Sequence, residues 1–438
     1  MTISSPEIAP PPVPEERMGV WFVGNRSALF WLALKAGFWT VLTLGFYRFW
    51  MKTRLRRWYW SSIRPGGYPL EYVGDPWEKL LGFFIAVVIL TFYIGIVNLL
   101  LMFASFSLFQ SSFVGYAASF MGVIPVWFYA QYRARRYVLG RTRWRAVRFG
   151  LEKGAWGYAW RALVHWMITI CTAGLLWPRM TFWLEKYKTD RTYFGSAKLV
   201  QGGRWPMLYR AATPFIFAVA ILAGLAGWVI WLDPLLPLGT EPFWEVFENL
   251  DGLWDEDIDF LDSNKPSRLF LSIPAIALLG YGMIHYRFAS KRILASHKHA
   301  LGMRMKSELN SARVSMIYVL GATIAYLVLI IGVGIIAIAA AMLFVPDDFL
   351  STVSLYDRMM GSIPRWLSFA VLGALYLSVF LLWGVLYHVF VTFPLMRHMA
   401  ITLSLHDVKG LSQISQRARD EFAEAEGFAE ALDLGAAI

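Results

Sequence analysis

Arginine and lysine are interleaved with tryptophan and tyrosine in this 438-residue chain, and the mixture points to the chemistry of anionic headgroups. From Lys52 to Trp60 four cations share nine positions with Trp58, Tyr59 and Trp60, and seven arginines fall in the sixteen positions from Arg133 to Arg148. Guanidinium and ammonium groups beside an apolar segment attract anionic lipid, while indole and phenol rings are stable where one end is apolar and the other wet. Arg54, Arg56, Arg57, Arg133, Arg135, Arg136, Arg287, Lys291 and Arg292 are therefore candidate contacts for an anionic lipid headgroup or solute. The plainer reading is that these cations only set the orientation of a membrane protein. No nucleic-acid-binding module accompanies the formal charge of +11, so membrane lipids, and not nucleic acid, are the expected partners.

Other reactive constellations are sparse. His285, His297, His299, His398 and His406 lie near the basic connectors, but no His-Glu-x-x-His stretch occurs, and a zinc site needs three or four convergent ligands. On a helix His297 and His299 would point about 200° apart. His388 falls within the last apolar stretch, where a polar group is costly and often functional. The run Asp255-Glu256-Asp257-Ile258-Asp259 resembles an oxygen-rich cation loop but has Phe260 and Pro266 where an EF-hand needs Gly and Glu. No phosphate-binding Gly-rich loop and no nucleophile–base constellation is evident. The single cysteine, Cys171, excludes an intramolecular disulfide and a multi-cysteine metal site. No metal, no cofactor and no catalytic residue is expected, and the chain does not read as an enzyme.

The elements that carry these residues are apolar helices. Hydrophobic residues make up 57% of the chain and charged ones only 16%, against roughly a quarter charged in soluble domains. No Asp, Glu, Lys or Arg occurs between Lys79 and Arg133, more than the ~20 residues that cross a bilayer. Spans are expected at about 80–104, 113–132, 212–232, 269–287, 316–344 and 366–393. The small residues Gly224, Gly227, Gly332 and Gly334 suit close helix packing there.

Charge sets the sidedness. Connectors 48–79, 133–161, 178–210 and 287–313 carry seven, nine, seven and seven cations against three, one, two and one acids, whereas 233–268 carries ten acids against two cations. The positive-inside rule places the first four on the cytoplasmic side. Two shorter apolar stretches, 28–47 and 162–178, then conflict with a simple count. If both enter and leave from the cytoplasmic side, every basic connector stays inside. The expected fold class is all-α: six transmembrane helices plus two short shallow or re-entrant segments, or alternatively eight transmembrane helices.

An internal repeat ties the two short stretches together. At an offset of 129 residues Trp31, Ala33, Leu34, Thr40, Thr43, Gly45, Met51 and Leu55 match Trp160, Ala162, Leu163, Thr169, Thr172, Gly174, Met180 and Leu184. The expected plan is a disordered Pro-rich arm 1–27, repeat unit 28–150, repeat unit 157–307 with an acidic external loop 233–268, a hairpin 314–396 and a cytoplasmic tail 397–438. That tail is expected to hold a short amphipathic helix over about 411–432.

The stretch Thr43-Leu44-Gly45-Phe46-Tyr47-Arg48-Phe49-Trp50 resembles the Thr-Leu-Gly-aromatic-Tyr-x-x-Trp signature of the bacterial YjgN-like family. Arg133-Ala134-Arg135-Arg136-Tyr137 and the ending Gly427-Phe428-Ala429-Glu430-Ala431-Leu432-Asp433-Leu434-Gly435 resemble it too. The second copy keeps Thr172 and Gly174 but has Ala173 for Leu44 and Trp177-Pro178 for Arg48-Phe49, and nothing there repeats Tyr47 and Trp50. The resemblance implies an integral inner-membrane protein of unassigned function and carries over no catalytic residue, while the charge balance, with two non-crossing segments, puts both termini in the cytoplasm. Two functions follow as expectations: a transporter or channel-like module for an anionic solute or lipid headgroup, or a non-catalytic membrane scaffold or envelope-maintenance factor.

Overall fold

Long uncharged stretches form helices because lipid offers the backbone no partner outside its own hydrogen bonds. The computed structural model describes residues 17–109, 112–228, 272–344 and 365–417, and most of the chain is helical. Segments Trp205–Gly227, Ser311–Ile335 and Tyr376–Ile401 are helices long and apolar enough to cross a membrane. The acidic connector 233–268, residues 1–16 of the arm and residues 418–438 of the tail lie outside the described residues.

The chain forms two compact units, the first comprising residues 1–205, 294–309 and 316–438, the second residues 206–293 and 310–315. The first unit begins with β1 (Met18–Phe22), α1 (Arg26–Leu42), α2 (Arg48–Ser62), β2 (Ile63–Pro65) and β3 (Leu70–Tyr72). Next come α3 (Pro76–Phe92), a π-helical turn Tyr93–Val97, α4 (Asn98–Phe109) and α5 (Ser112–Gly140), then β4 (Thr142–Trp144) and β5 (Val147–Leu151). The helices α6 (Ala155–Cys171) and α7 (Trp177–Thr189) lead to β6 (Thr192–Phe194), β7 (Ala197–Lys198) and β8 (Val200–Gln201). The second unit contains α8 (Tyr209–Gly227) and most of α9 (Ser272–Ser296). There Gly282 lies against the Phe215 backbone, and His285 Nδ1 is 2.9 Å from the Ser311 hydroxyl. Back in the first unit are β9 (Lys298–Ala300), β10 (Met303–Ser307), most of α10 (Ser311–Phe344), α11 (Arg365–Tyr387), a π-helical segment His388–Thr392, α12 (Phe393–Ile401) and β11 (Leu403–His406).

The strands were not expected from sequence. They form two antiparallel sheets, ordered β2-β1-β11-β10-β9-β8 and β3-β4-β5-β6-β7. Residues 18–22, at the end of the expected arm, are thus an interior strand, with Val20 opposite Pro65 and Met18 opposite Leu405. Each of the four basic connectors contributes strands: β2 and β3, β4 and β5, β6 to β8, and β9 and β10. Tight turns join β4 to β5 through Arg145-Ala146 and β9 to β10 through Leu301-Gly302, with positive φ at both positions of each turn. That is the geometry a two-residue hairpin needs to match strand twist.

Helices are inserted between neighbouring strands. The pair α1–α2 joins β1 to β2, α3–α5 joins β3 to β4, α6–α7 joins β5 to β6, and α10–α12 joins β10 to β11. Adjacent ends of antiparallel strands lie side by side, so each of these insertions leaves and returns at one place.

The two short insertions share one tip. In each, a helix ends in a Schellman motif: Gly45 N–H donates to Thr40 C=O and Leu44 N–H to Val41 C=O, as Gly174 N–H does to Thr169 C=O and Ala173 N–H to Ile170 C=O. Thr43 and Thr172 donate their hydroxyls back to Trp39 and Ile168 C=O and accept from the N–H groups of Tyr47 and Leu176. Thr40 and Thr169 each reach the sulfur of the matching methionine, Met51 and Met180. Tyr47 stacks on Trp50, closing the first tip. A Cβ at Gly45 or Gly174 would meet nothing, so glycine is needed for its backbone, at φ +95° and +83°.

Small residues on α1 pack where they let another helix approach. Gly37 meets Leu381 on α11, while Leu29, Ala33, Leu55 and Tyr59 form one core with Val385, Phe393 and Met396. The second hairpin packs likewise through Tyr158, Ala162, Met180 and Leu184 against Phe128 and Tyr132 of α5. Positions 29, 33 and 55 thus match 158, 162 and 184 in burial, and the last two pairs in sequence as well. Among the described residues no atom comes within 4 Å of where a Cβ would stand at Gly224, Gly227, Gly332 or Gly334, the glycines expected at close crossings.

Candidate functional site

The cations expected to bind an anion divide by environment. Arg56 is buried, donating to the Tyr72 hydroxyl at 3.4 Å and lying over the rings of Trp60 and Tyr72. Arg57 donates to Gly74 C=O at 2.9 Å, Arg133 to the Tyr129 hydroxyl at 2.9 Å, and Arg135 pairs with Glu185 at 3.4 Å. Arg136 is half-buried on the same helix. Arg54 is exposed over the Tyr47 ring. In the second unit Arg287, Lys291 and Arg292 are exposed, the first two over the Phe288 ring. The cations of α2 and α5 thus largely serve packing between connectors, whereas Arg54, Arg287, Lys291 and Arg292 are exposed.

Two buried charge clusters were not expected. Lys79 is 1% exposed, donates to the Thr53 hydroxyl at 3.0 Å and lies 5.0 Å from the centre of the Tyr72 ring. Burial, together with Arg56, Lys52 and Arg57, lowers its amine from an ordinary 10.5 to about 6. Its neighbour Glu78 accepts from Tyr137 and from Arg141, at 3.0 and 2.7 Å. At the offset of 129 residues that aligns the two short hairpins, Glu185 falls at the position of Arg56. Burial alone would raise its carboxyl, but Arg135, Lys188 and Lys298 hold it well below the usual carboxylate range. Lys298 is 2.7 Å away and Lys188 3.0 Å. The only hint in the sequence was an acid and a base at the same place in two segments that share identities at that offset.

The histidines do not converge. His297-Lys298-His299 runs into strand β9, and no group of three or more His, Cys, Asp or Glu able to hold a metal occurs among the described residues. His388 opens the π-helical segment, and its carbonyl accepts from the Tyr59 hydroxyl at 3.4 Å.

Both sheets line one apolar cavity of about 370 Å³. Side chains enter it with the period of two that strands impose: Met303 and Met305 from β10, Leu403 and Leu405 from β11, Trp144, Phe149 and Phe194 from β4 to β6. Met396 and Met399 of α12 close part of it. Lys298 reaches its wall but directs its ammonium at Glu185. Ligand sites of roughly 300–1,000 Å³ are of this size and apolar character. The alternation Met303-x-Met305 and Leu403-x-Leu405 was readable in the sequence, but it is too short to stand out among basic residues.

The fold and its apolar helices define a mostly helical bacterial protein with membrane-spanning capacity. The chain belongs to the family described as Bacterial protein of unknown function (DUF898), which it matches over residues 17–431. No curated protein and no solved structure matches it.

Proposed function

We propose that the protein is a multi-pass inner-membrane protein of YjgN-like type that engages lipid of the cytoplasmic leaflet, a non-catalytic organiser of the membrane. Its six spans form three hairpins, its two short hairpins α1–α2 and α6–α7 dip into the leaflet and return, and both termini are cytoplasmic. One observation carries this reading. All four basic connectors contribute strands to the same two hydrogen-bonded sheets, so the bilayer cannot separate them.

The hairpin tips suit insertion. Leu44 is 87% exposed, and Leu42, Phe46, Ile170 and Leu175 are exposed with it. Each first arm has 17 residues, about 26 Å of helix, short of the ~30 Å hydrocarbon core. The matched Schellman tips and matched burial support an internal duplication. Arg54, Arg57, Arg287, Lys291 and Arg292 are the exposed cations that would meet anionic headgroups. Transport of an anionic solute is the second reading, favoured by the π-helical breaks at Tyr93–Val97 and His388–Thr392, a feature frequent at functional sites.

Single cysteines at Gly202 and Gly252, in a Cys171→Ser background, test the arrangement. Labelling from opposite faces is expected, Gly202 from inside. Labelling of both from outside would end the proposal, and solute flux in sealed proteoliposomes would replace the organiser by the transporter.

A further inference from the structure

We infer that the cavity between the two sheets binds a single-chain anionic amphiphile, a fatty acid or a single-chain phospholipid, with its hydrocarbon in the cavity and its head beside Arg145 and Lys409. The argument rests on strands and side chains of the first unit and does not depend on the sidedness proposed above.

The wall is hydrocarbon, aromatic and thioether apart from Lys298, whose ammonium is turned to Glu185, and His299. Four of its residues, Met303, Met305, Met396 and Met399, are methionines, whose unbranched and polarisable side chains adjust to an irregular apolar guest. Apolar cavities take apolar ligands readily. A purely apolar guest would leave the adjoining surface unexplained. A second, more polar pocket shares Trp144, Phe194, Leu411 and Ile414 with the first and adds Arg145, Lys409 and Ser412.

Arg145 is held there by the β4–β5 turn, where a positive φ of 51° aims an exposed guanidinium over the Tyr68 ring, 4.8 Å from its centre. Lys409 is exposed on the 3₁₀ turn Val408–Gln413. The nearest carboxylate along that turn, Asp407, is 2.9 Å from Arg304 and so already neutralised. Among the described residues neither Arg145 nor Lys409 forms an ion pair. Two cations in a pocket that shares its wall with a hydrocarbon-lined cavity complement a carboxylate or phosphate on one chain. The cations supply charge recognition and the cavity supplies burial of methylene groups.

The test is photolabelling of the full-length protein in detergent with three probes of equal chain length. They are a diazirine-bearing palmitate, the corresponding lysophosphatidate and the corresponding uncharged alcohol. One or both anions are expected to label peptides holding Met303, Met305 or Phe194, and the better of the two identifies the head. The alcohol is expected to label them about tenfold less. Arg145→Gln with Lys409→Gln, both at exposed positions, should weaken the anion by more than about tenfold and leave the alcohol unchanged, given about fivefold per near-surface cation. Ala300→Phe, checked by thermal melting, should abolish labelling by filling the cavity. Equal labelling by alcohol and anions, labelling confined to α1 and α6, or indifference to the double substitution would each overturn the inference. So would labelling that appears only after residues 418–438 are deleted, which would give the cavity to the chain's own tail.

Discussion

Leu44 stands in a left-handed backbone conformation, φ 50°, one residue before Gly45, and Ala173 does the same before Gly174. At this point in a Schellman motif glycine is usual, because a β-carbon there costs about 1–2 kcal/mol. An apolar residue kept at such a cost, and exposed, fits contact with lipid. Leu44→Gly should therefore leave stability in detergent unchanged or raise it by up to about 1 kcal/mol, and should lower it relative to the parent in lipid nanodiscs, by paired thermal melts. Gly45→Ala should cost about 1–2 kcal/mol in both media. Thr43, Gly45, Thr172 and Gly174 were legible in the sequence as spaced identities, since a local hydrogen-bonding motif leaves a local trace. Lys79 and Glu185 were not: Lys79 meets Thr53 and Tyr72 only because its own connector folds back on itself, and Arg135 and Lys298 reach Glu185 from two other connectors. Lys79 sets a pH dependence. The folded protein favours the neutral amine above about 6 while the unfolded chain keeps its proton to 10.5, so unfolding takes up a proton in that window and stability rises with pH across it. Lys79→Met should flatten that rise and stabilise the protein near neutrality, as a chemical-denaturation series against pH would show. Glu185→Gln leaves Arg135, Lys188 and Lys298 facing one another and should cost about 3–5 kcal/mol in the same assay.

At the scale of elements, hydropathy locates helices and misses strands. The expected spans at 316–344 and 366–393 fall on α10 and on α11 with its π-helical continuation, since a long uncharged run has one stable backbone in lipid. The strands are two to five residues long and sit in stretches dominated by arginine, so neither alternation nor propensity rises above that of a loop. What makes them strands is a partner up to several hundred residues away, as when Met18 pairs with Leu405. The short hairpins carry their own prediction. Nitroxide-labelled lipids should quench fluorophores at Phe46→Cys and Leu175→Cys most strongly when the label sits in the inner-leaflet acyl region. Maximal quenching by outer-leaflet labels would make these helices true crossings.

Across the whole molecule, the basic connectors were legible as a group by charge, while their union into sheets was not, because pairing between distant segments leaves no periodic trace. That union has a consequence for biogenesis. The second strand from one rim of the larger sheet is the first made, β1, and its neighbour β11 is the last, so one side of β1 has no partner until residues 403–406 emerge from the ribosome. Unpaired strand edges invite misassembly. A nascent chain stalled before Leu403 should therefore hold residues 18–22 open to protease, and one released beyond His406 should protect them. Quality control of this protein is thereby tied to synthesis of residues 403–406.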